Sequence, residues 1–106
     1  MGFFGSFRGP SMDEGVRQFR DTPGALLVDV REPDEYAQGH VPGSVNLPLS
    51  RIRNAEQTLT DKAQPVFVYC LSGGRSGQAT AALVRMGYTA VINIGGISAY
   101  HGEVER

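Results

Sequence analysis

The chain has 106 residues, of which 41% are hydrophobic and 20% are charged, and its formal net charge is −1. This length and composition fit one small globular domain with a single modest core. The small net charge gives no electrostatic reason to expect nucleic acid or an anionic membrane as a partner, and no apolar run approaches the roughly 20 residues that span a bilayer.

Hydrophobic periodicity divides the chain into alternating helices and strands. It predicts an N-terminal extension over residues 1–10 and one domain over residues 11–106. In chain order, the predicted elements are a helix over 12–20, a strand over 25–30, a short helix over 33–36, a strand over 44–47, one or two helical turns within 49–59, a strand over 66–69, a helix over 76–86, a strand over 90–94 and a short helix over 97–101. This alternation predicts an α/β fold with a mainly parallel sheet.

The cysteine and histidine content limits the chemistry. Cys70 is the only cysteine, so no internal disulfide can form and no oxidising compartment is implied. Together with His40 and His101 it gives no recognisable zinc spacing, and we expect neither a metal nor another cofactor. The N-terminus lacks the continuous apolar stretch of a secretory signal, and we predict a cytoplasmic location.

Cys70 stands at the end of an apolar, strand-forming run and directly before a glycine-bearing loop. The loop reads Leu71, Ser72, Gly73, Gly74, Arg75 and Ser76, and it leads into a predicted helix. Loop N–H groups, the helix N-terminus and Arg75 all favour negative charge near the sulfur. The two glycines permit the tight backbone conformations that such a loop needs. We therefore expect Cys70 to have a lowered pKa and to act as a nucleophile, with the loop binding its substrate.

Charged side chains flank this loop. Asp29 ends a strand that should lie beside the Cys70 strand, so it could hold Arg75 or the loop N–H groups; equally, it could form a surface ion pair with Arg31. We expect Arg75 to turn outward and hold the loop through Asp29 or another carboxylate. Arg31 and Glu35 are four residues apart around a helix start and are expected to pair.

Four segments carry a pattern that is specific when they are taken together. They are 27–36 (LVDVREPDEY), 39–44 (GHVPGS), 69–76 (YCLSGGRS) and 93–97 (NIGGI). In these segments and their order the chain resembles the rhodanese-like domain. The resemblance implies a small, twisted parallel sheet flanked by helices on both faces. It also implies sulfur transfer through a persulfide on Cys70, from a small sulfur donor to cyanide, a small thiol or a thiol protein.

Two positions depart from the commonest pattern of that family. Leu71 follows the cysteine where many relatives have a basic or polar residue, and Tyr100 stands where many have tryptophan. The tyrosine should only repack a corner. Leu71 makes the mouth of the loop less cationic, so we expect a preference for sulfur donors that carry little charge.

Two other functions remain open from the sequence. A phosphatase of the cysteine–arginine kind has a similar loop with five residues between the two side chains, whereas four separate Cys70 from Arg75. The shorter loop should fit a sulfur atom better than a phosphoryl group. A non-catalytic docking module is the second alternative, and the presence of the cysteine argues against it. Because no second cysteine can resolve a persulfide, the sulfur must pass to an external acceptor.

Overall fold

The structure, a computed structural model, describes residues 10–106. The predicted N-terminal extension therefore lies outside the described residues, apart from Pro10. The elements are α1 (Met12–Arg20), β1 (Leu26–Asp29), α2 (Pro33–Gln38), β2 (Val45–Asn46), a 3₁₀ segment (Leu49–Gln57), β3 (Val66–Cys70), α3 (Gly74–Arg85), β4 (Val91–Gly96) and a second 3₁₀ segment (Ile97–Ala99). None of the helices within this range is long and apolar enough to cross a membrane.

The strands form one parallel sheet in the order β2-β1-β3-β4. The two central strands, β1 and β3, read as continuous apolar runs because both of their faces are covered. Asp29 pairs with Tyr69, and Cys70 pairs with Gly96, so three strands end at the same edge of the sheet. The expected α/β class with a parallel sheet is confirmed.

Side chains of β3 alternate between two hydrophobic clusters, one on each face of the sheet. Phe67 and Tyr69 pack in the cluster that contains α1, while Val68 and Cys70 pack in the cluster that contains α3. Helices therefore cover both faces, as expected. This alternation places the sulfur of Cys70 on the side of the sheet where α3 begins.

The bounds of α1 match the prediction because its signal is local. Ser11 and Glu14 form a capping box, each side chain bonding to the backbone N–H of the other. In contrast, α3 begins at Gly74, two residues before the predicted start at Ser76. The reason is that Gly73 already serves as its N-cap, and a glycine pair carries no apolar side chain for periodicity to detect.

Candidate active site

The sulfur of Cys70 lies inside the turn that joins β3 to α3. The residue is 1% exposed. The Gly73 N–H donates a hydrogen bond to Sγ at 3.0 Å, and the Ser76 hydroxyl oxygen lies 3.4 Å from Sγ. Gly73 has φ +110° and ψ −14°, a conformation that a residue with a side chain rarely adopts. The loop thus surrounds the sulfur with polar donors at the start of a helix.

These donors decide the acidity of the thiol. Burial acts to raise the pKa of Cys70. Hydrogen bonds from the Ser76 hydroxyl and from nearby backbone N–H groups act in the opposite direction and outweigh burial, so the pKa lies below its ordinary value. The N–H groups belong to Ser76, Gly73 and Ser72. The site therefore stabilises the thiolate, which is the nucleophilic form of cysteine, more than an ordinary environment does.

The end of β4 and the 3₁₀ segment that follows it support the loop from behind. The Ser98 N–H donates to the Leu71 carbonyl oxygen at 3.1 Å. A Cβ atom on Gly96 would overlap this same carbonyl group, so the close approach requires glycine. Gly96 of the fourth sequence segment is therefore required by the loop that packs against it.

Arg75 turns away from the sulfur and holds the loop to α2. Its guanidinium donates to both carboxylate oxygens of Glu35, at 2.7 and 3.0 Å. The hydrogen bonds from Arg75 lower the pKa of Glu35 to about 2. The outward-facing geometry is the expected one, and its partner is Glu35 rather than Asp29. The expected Arg31–Glu35 pair is wrong: Arg31 precedes the N-cap Glu32, so the four-residue spacing does not fall within a helix.

Asp29 and Arg31 form a buried ion pair beside this site. Their side chains are 0% and 6% exposed, and the shortest contact joins Arg31 Nη2 to Asp29 Oδ2 at 2.7 Å. The Arg31 backbone N–H also bonds to Asp29, and Nη2 donates to the Gly39 carbonyl at 2.7 Å. Of the two alternatives for Asp29, the structure shows the pairing with Arg31, but in the interior rather than at the surface. The carboxylate holds neither Arg75 nor a loop N–H group.

Asn93 is a part of the site that sequence reasoning did not single out. Its Oδ1 lies 2.8 Å from the Ser76 hydroxyl oxygen and accepts the Gly95 N–H at 2.9 Å. Its Nδ2 lies 3.4 Å from the Gly73 carbonyl oxygen. The available signal was a single polar residue inside the apolar strand β4.

A groove lined by both apolar and polar side chains adjoins the loop. Leu71, which is 45% exposed, lines it together with Ile97 and Val104, and its volume is about 370 Å³. Val104 reaches this place because the backbones of His40 and Glu105 exchange hydrogen bonds of 2.8 Å. The His40 ring stacks on Tyr36 with 3.8 Å between the ring centroids.

The groups that could bind a metal are not clustered in the part of the chain that the structure describes. No three His, Cys, Asp or Glu side chains between residues 10 and 106 come close enough together to hold an ion. Every buried side-chain nitrogen and oxygen atom in the same range has a hydrogen-bond partner. The polar groups around Cys70 are thus engaged with one another and with the sulfur.

Comparison with known proteins identifies the family. The family model of the rhodanese-like domain matches residues 12–103. The chain belongs to the rhodanese-like family. This confirms the resemblance that the four sequence segments carried.

Relatives within this family share both sequence and fold with the chain. Thiosulfate sulfurtransferase PspE of Escherichia coli is 46% identical over 71 residues, which are 66% of this chain and 68% of that protein. A sulfurtransferase of Allochromatium vinosum is 45% identical over 91 residues, 81% of this chain and 82% of that protein. A solved rhodanese structure from E. coli, with anions, has a TM-score of 0.72 and 38% identity, covering 77% of this chain and 98% of that one. The names support sulfur transfer as the class of activity.

Proposed function

We propose that the protein carries sulfane sulfur as a persulfide on Cys70 and moves it from a small donor to a thiol or cyanide acceptor. The observation that carries this proposal is the position of Sγ, which meets the Gly73 N–H and the Ser76 hydroxyl at the start of α3. Fixed donors of this kind stabilise an anion with little reorganisation. The same donors can form hydrogen bonds to the sulfur both in the thiolate and in the persulfide.

The proposed reaction has two displacements. In the first, the Cys70 thiolate attacks the sulfane sulfur of the donor; a new S–S bond forms, and the bond to the leaving group breaks. Sulfite leaves from thiosulfate, a thiolate leaves from an organic persulfide, and a polysulfide anion shorter by one sulfur atom leaves from a polysulfide. In the second, cyanide or a thiolate attacks the terminal sulfur and the Cys70 thiolate is released. Because Cys70 is the only cysteine, the acceptor is external.

The donor that we propose carries little or no charge. The two arginines near the mouth of the loop are already engaged: Arg75 binds Glu35, and Arg31 binds Asp29. Leu71 adds an apolar surface where a cation would attract a dianion. A small organic persulfide suits this mouth better than thiosulfate, which would gain most from an unpaired positive charge.

The direct test is the rate of sulfur transfer to cyanide by the wild-type protein and by Cys70→Ser. We expect Cys70→Ser to lose all transfer and to keep the melting curve of the parent, because serine is nearly isosteric with the buried thiol. Transfer by Cys70→Ser at the parental rate would overturn the proposal. Hydrolysis of an aryl phosphate that depends on Cys70 would favour the phosphatase alternative. Because only four residues separate Cys70 from Arg75, we expect this hydrolysis to be weak or absent.

A cytoplasmic location is part of the same proposal. A lone nucleophilic thiol stays reduced in the glutathione-buffered cytosol, whereas an oxidising compartment would expose it to disulfide exchange with other proteins. Cell fractionation followed by detection of the tagged chain would test this location. Recovery from an oxidising compartment would contradict it.

A further inference from the structure

The Ser76 hydroxyl has more acceptors than protons. A serine hydroxyl donates one hydrogen bond, yet four acceptors lie within 3.4 Å of its oxygen atom. They are Asn93 Oδ1 at 2.8 Å, the Gly73 carbonyl at 3.1 Å, the Gly95 carbonyl at 3.3 Å and Cys70 Sγ at 3.4 Å. Asn93 offers the shortest contact, so it is the strongest competitor of the sulfur for this proton.

The orientation of the Asn93 amide is fixed by its other contacts. The Gly95 N–H can only donate, and it lies 2.9 Å from Oδ1. The Gly73 carbonyl can only accept, and it lies 3.4 Å from Nδ2. A flipped amide would place donor against donor and acceptor against acceptor. The atom of Asn93 that faces Ser76 is therefore an oxygen.

We propose that Asn93 is a positioning residue that holds the single proton of the Ser76 hydroxyl while Cys70 is a thiol and yields it to the sulfur when the sulfur becomes anionic. In the thiol, S–H donates to Ser76 Oγ and the Ser76 proton points to Asn93. On ionisation the thiol proton leaves to water, and the hydroxyl turns to donate to the thiolate. Asn93 Oδ1 then keeps the Gly95 N–H. This inference rests on Cys70 being the nucleophile.

The charged side chains near Cys70 are paired with one another. Arg75 on α3 is bound to Glu35 on α2, and Asp29 at the end of β1 is bound to Arg31. These pairs supply a fixed field. Asn93 carries no charge, so its influence on the sulfur passes through the orientation of the Ser76 hydroxyl.

The test is the apparent pKa of Cys70, measured from its alkylation rate with iodoacetamide as a function of pH. A carboxylate accepts a hydrogen bond more strongly than an amide, so Asn93→Asp should retain the Ser76 proton and raise this pKa by about one unit, which is a tenfold change in the thiol–thiolate equilibrium. In a Ser76→Ala background the same substitution should raise the pKa much less. Equal shifts in the two backgrounds would show that charge alone acts, and they would overturn the proposal.

A second variant and a control keep the test decisive if Asn93→Asp folds poorly. Asn93→Ala removes the competing acceptor, so it should lower the pKa in the parent and have little effect in Ser76→Ala. A rise in the parent would overturn the proposal. Thr80→Val is the matched control, because the Thr80 hydroxyl bonds to the carbonyl of Ser76 at 2.7 Å and not to its hydroxyl; we expect it to leave the pKa unchanged.

Alkylation does not depend on sulfur transfer. A protein that shows this coupling between Asn93 and Ser76 but never gains sulfur on Cys70 would refute the proposed function and leave the role of Asn93 intact. A protein that gains sulfur on Cys70 but lacks the coupling would support the proposed function and refute the role of Asn93.

Discussion

The ends of β1 and β3 lie side by side at one edge of the sheet, but different kinds of group stabilise negative charge at each end. Asp29 at the end of β1 is 0% exposed and is bound by the guanidinium of Arg31. Cys70 at the end of β3 is as deeply buried, yet the groups that contact its sulfur are a neutral N–H and a neutral hydroxyl. A bound countercharge favours stability at the first site, whereas neutral dipoles at the second favour an anion that can still react.

Arg75 illustrates the same division. It is the cation of the loop, but its guanidinium is bound to Glu35 and not to the sulfur. The thiolate is therefore supported by backbone dipoles and one hydroxyl, while the arginine fixes the loop against α2. Changes at the ion pairs should mainly alter folding, and changes at the neutral donors should mainly alter reactivity.

The largest effect on stability should come from breaking the buried pair. Asp29→Ala leaves the Arg31 guanidinium buried without its carboxylate, which typically costs about 3–5 kcal/mol of the free energy of unfolding. Urea denaturation measures this loss in the free energy of unfolding. Glu56→Ala, which breaks an exposed contact with Lys62, is the control and should change little. An Asp29→Ala variant as stable as the control would show that the pair does not support the fold.

Replacement of Gly73 should affect the sulfur as well as the fold. Alanine at φ +110° costs about 1–2 kcal/mol, and relaxation of that strain would move the N–H that bonds to Sγ and so raise the pKa of Cys70. Gly74→Ala is the matched control, since Gly74 lacks the positive φ and its added Cβ would meet open space. Denaturation and thiol alkylation report the two effects. Equal results for the two variants would contradict this role of the loop conformation.

Leu71→Arg should add, at the mouth of the loop, a cation that is not already part of an ion pair. We expect a severalfold gain in kcat/KM with thiosulfate at low salt, which shrinks as ionic strength rises, and little change with a neutral persulfide. Leu71→Gln separates charge from polarity and should show no such gain. If the arginine and glutamine variants behave alike at every salt concentration, the mouth residue does not select the donor by charge.

The smallest effect should appear at acidic pH. The pKa of Glu35 is about 2 in the folded protein against 4.5 for the ordinary group, so its ionisation stabilises the fold above pH 4.5 and this contribution is lost as the pH falls toward 2. Glu35→Gln lacks the contribution. Its Tm deficit relative to the parent should therefore be full near pH 6 and shrink steadily as the pH falls toward 2. A deficit that is constant over this range would contradict the Arg75–Glu35 pairing as its source.

Local patterns in the sequence predicted the parts of the fold that depend on neighbouring residues. The capping box at Ser11 gave the start of α1, and the apolar run before Cys70 gave β3. The loop glycines predicted a tight turn around the sulfur, and Gly73 adopts one. Each of these features is decided by side chains a few positions apart, which is the range that periodicity and turn preferences describe.

Contacts between distant parts of the chain could not be predicted in the same way. Arg75 binds Glu35 across 40 positions, and Ser76 meets Asn93 across 17. Val104 reaches the groove beside Leu71 only through the pairing of Glu105 with His40. Several carboxylates and amides in the sequence could form each of these contacts, and only the packing of the helices on the sheet decides which of them does.

Mass spectrometry of the protein after exposure to a sulfur donor tests the central claim most directly. We predict that treatment with thiosulfate or a small organic persulfide, followed by desalting, adds one sulfur atom to the peptide that contains Cys70. Cyanide should then remove this sulfur as thiocyanate, and Cys70→Ser should gain none. Sulfur transfer at the normal rate without a persulfide on Cys70, or the same gain in mass by Cys70→Ser, would contradict the account.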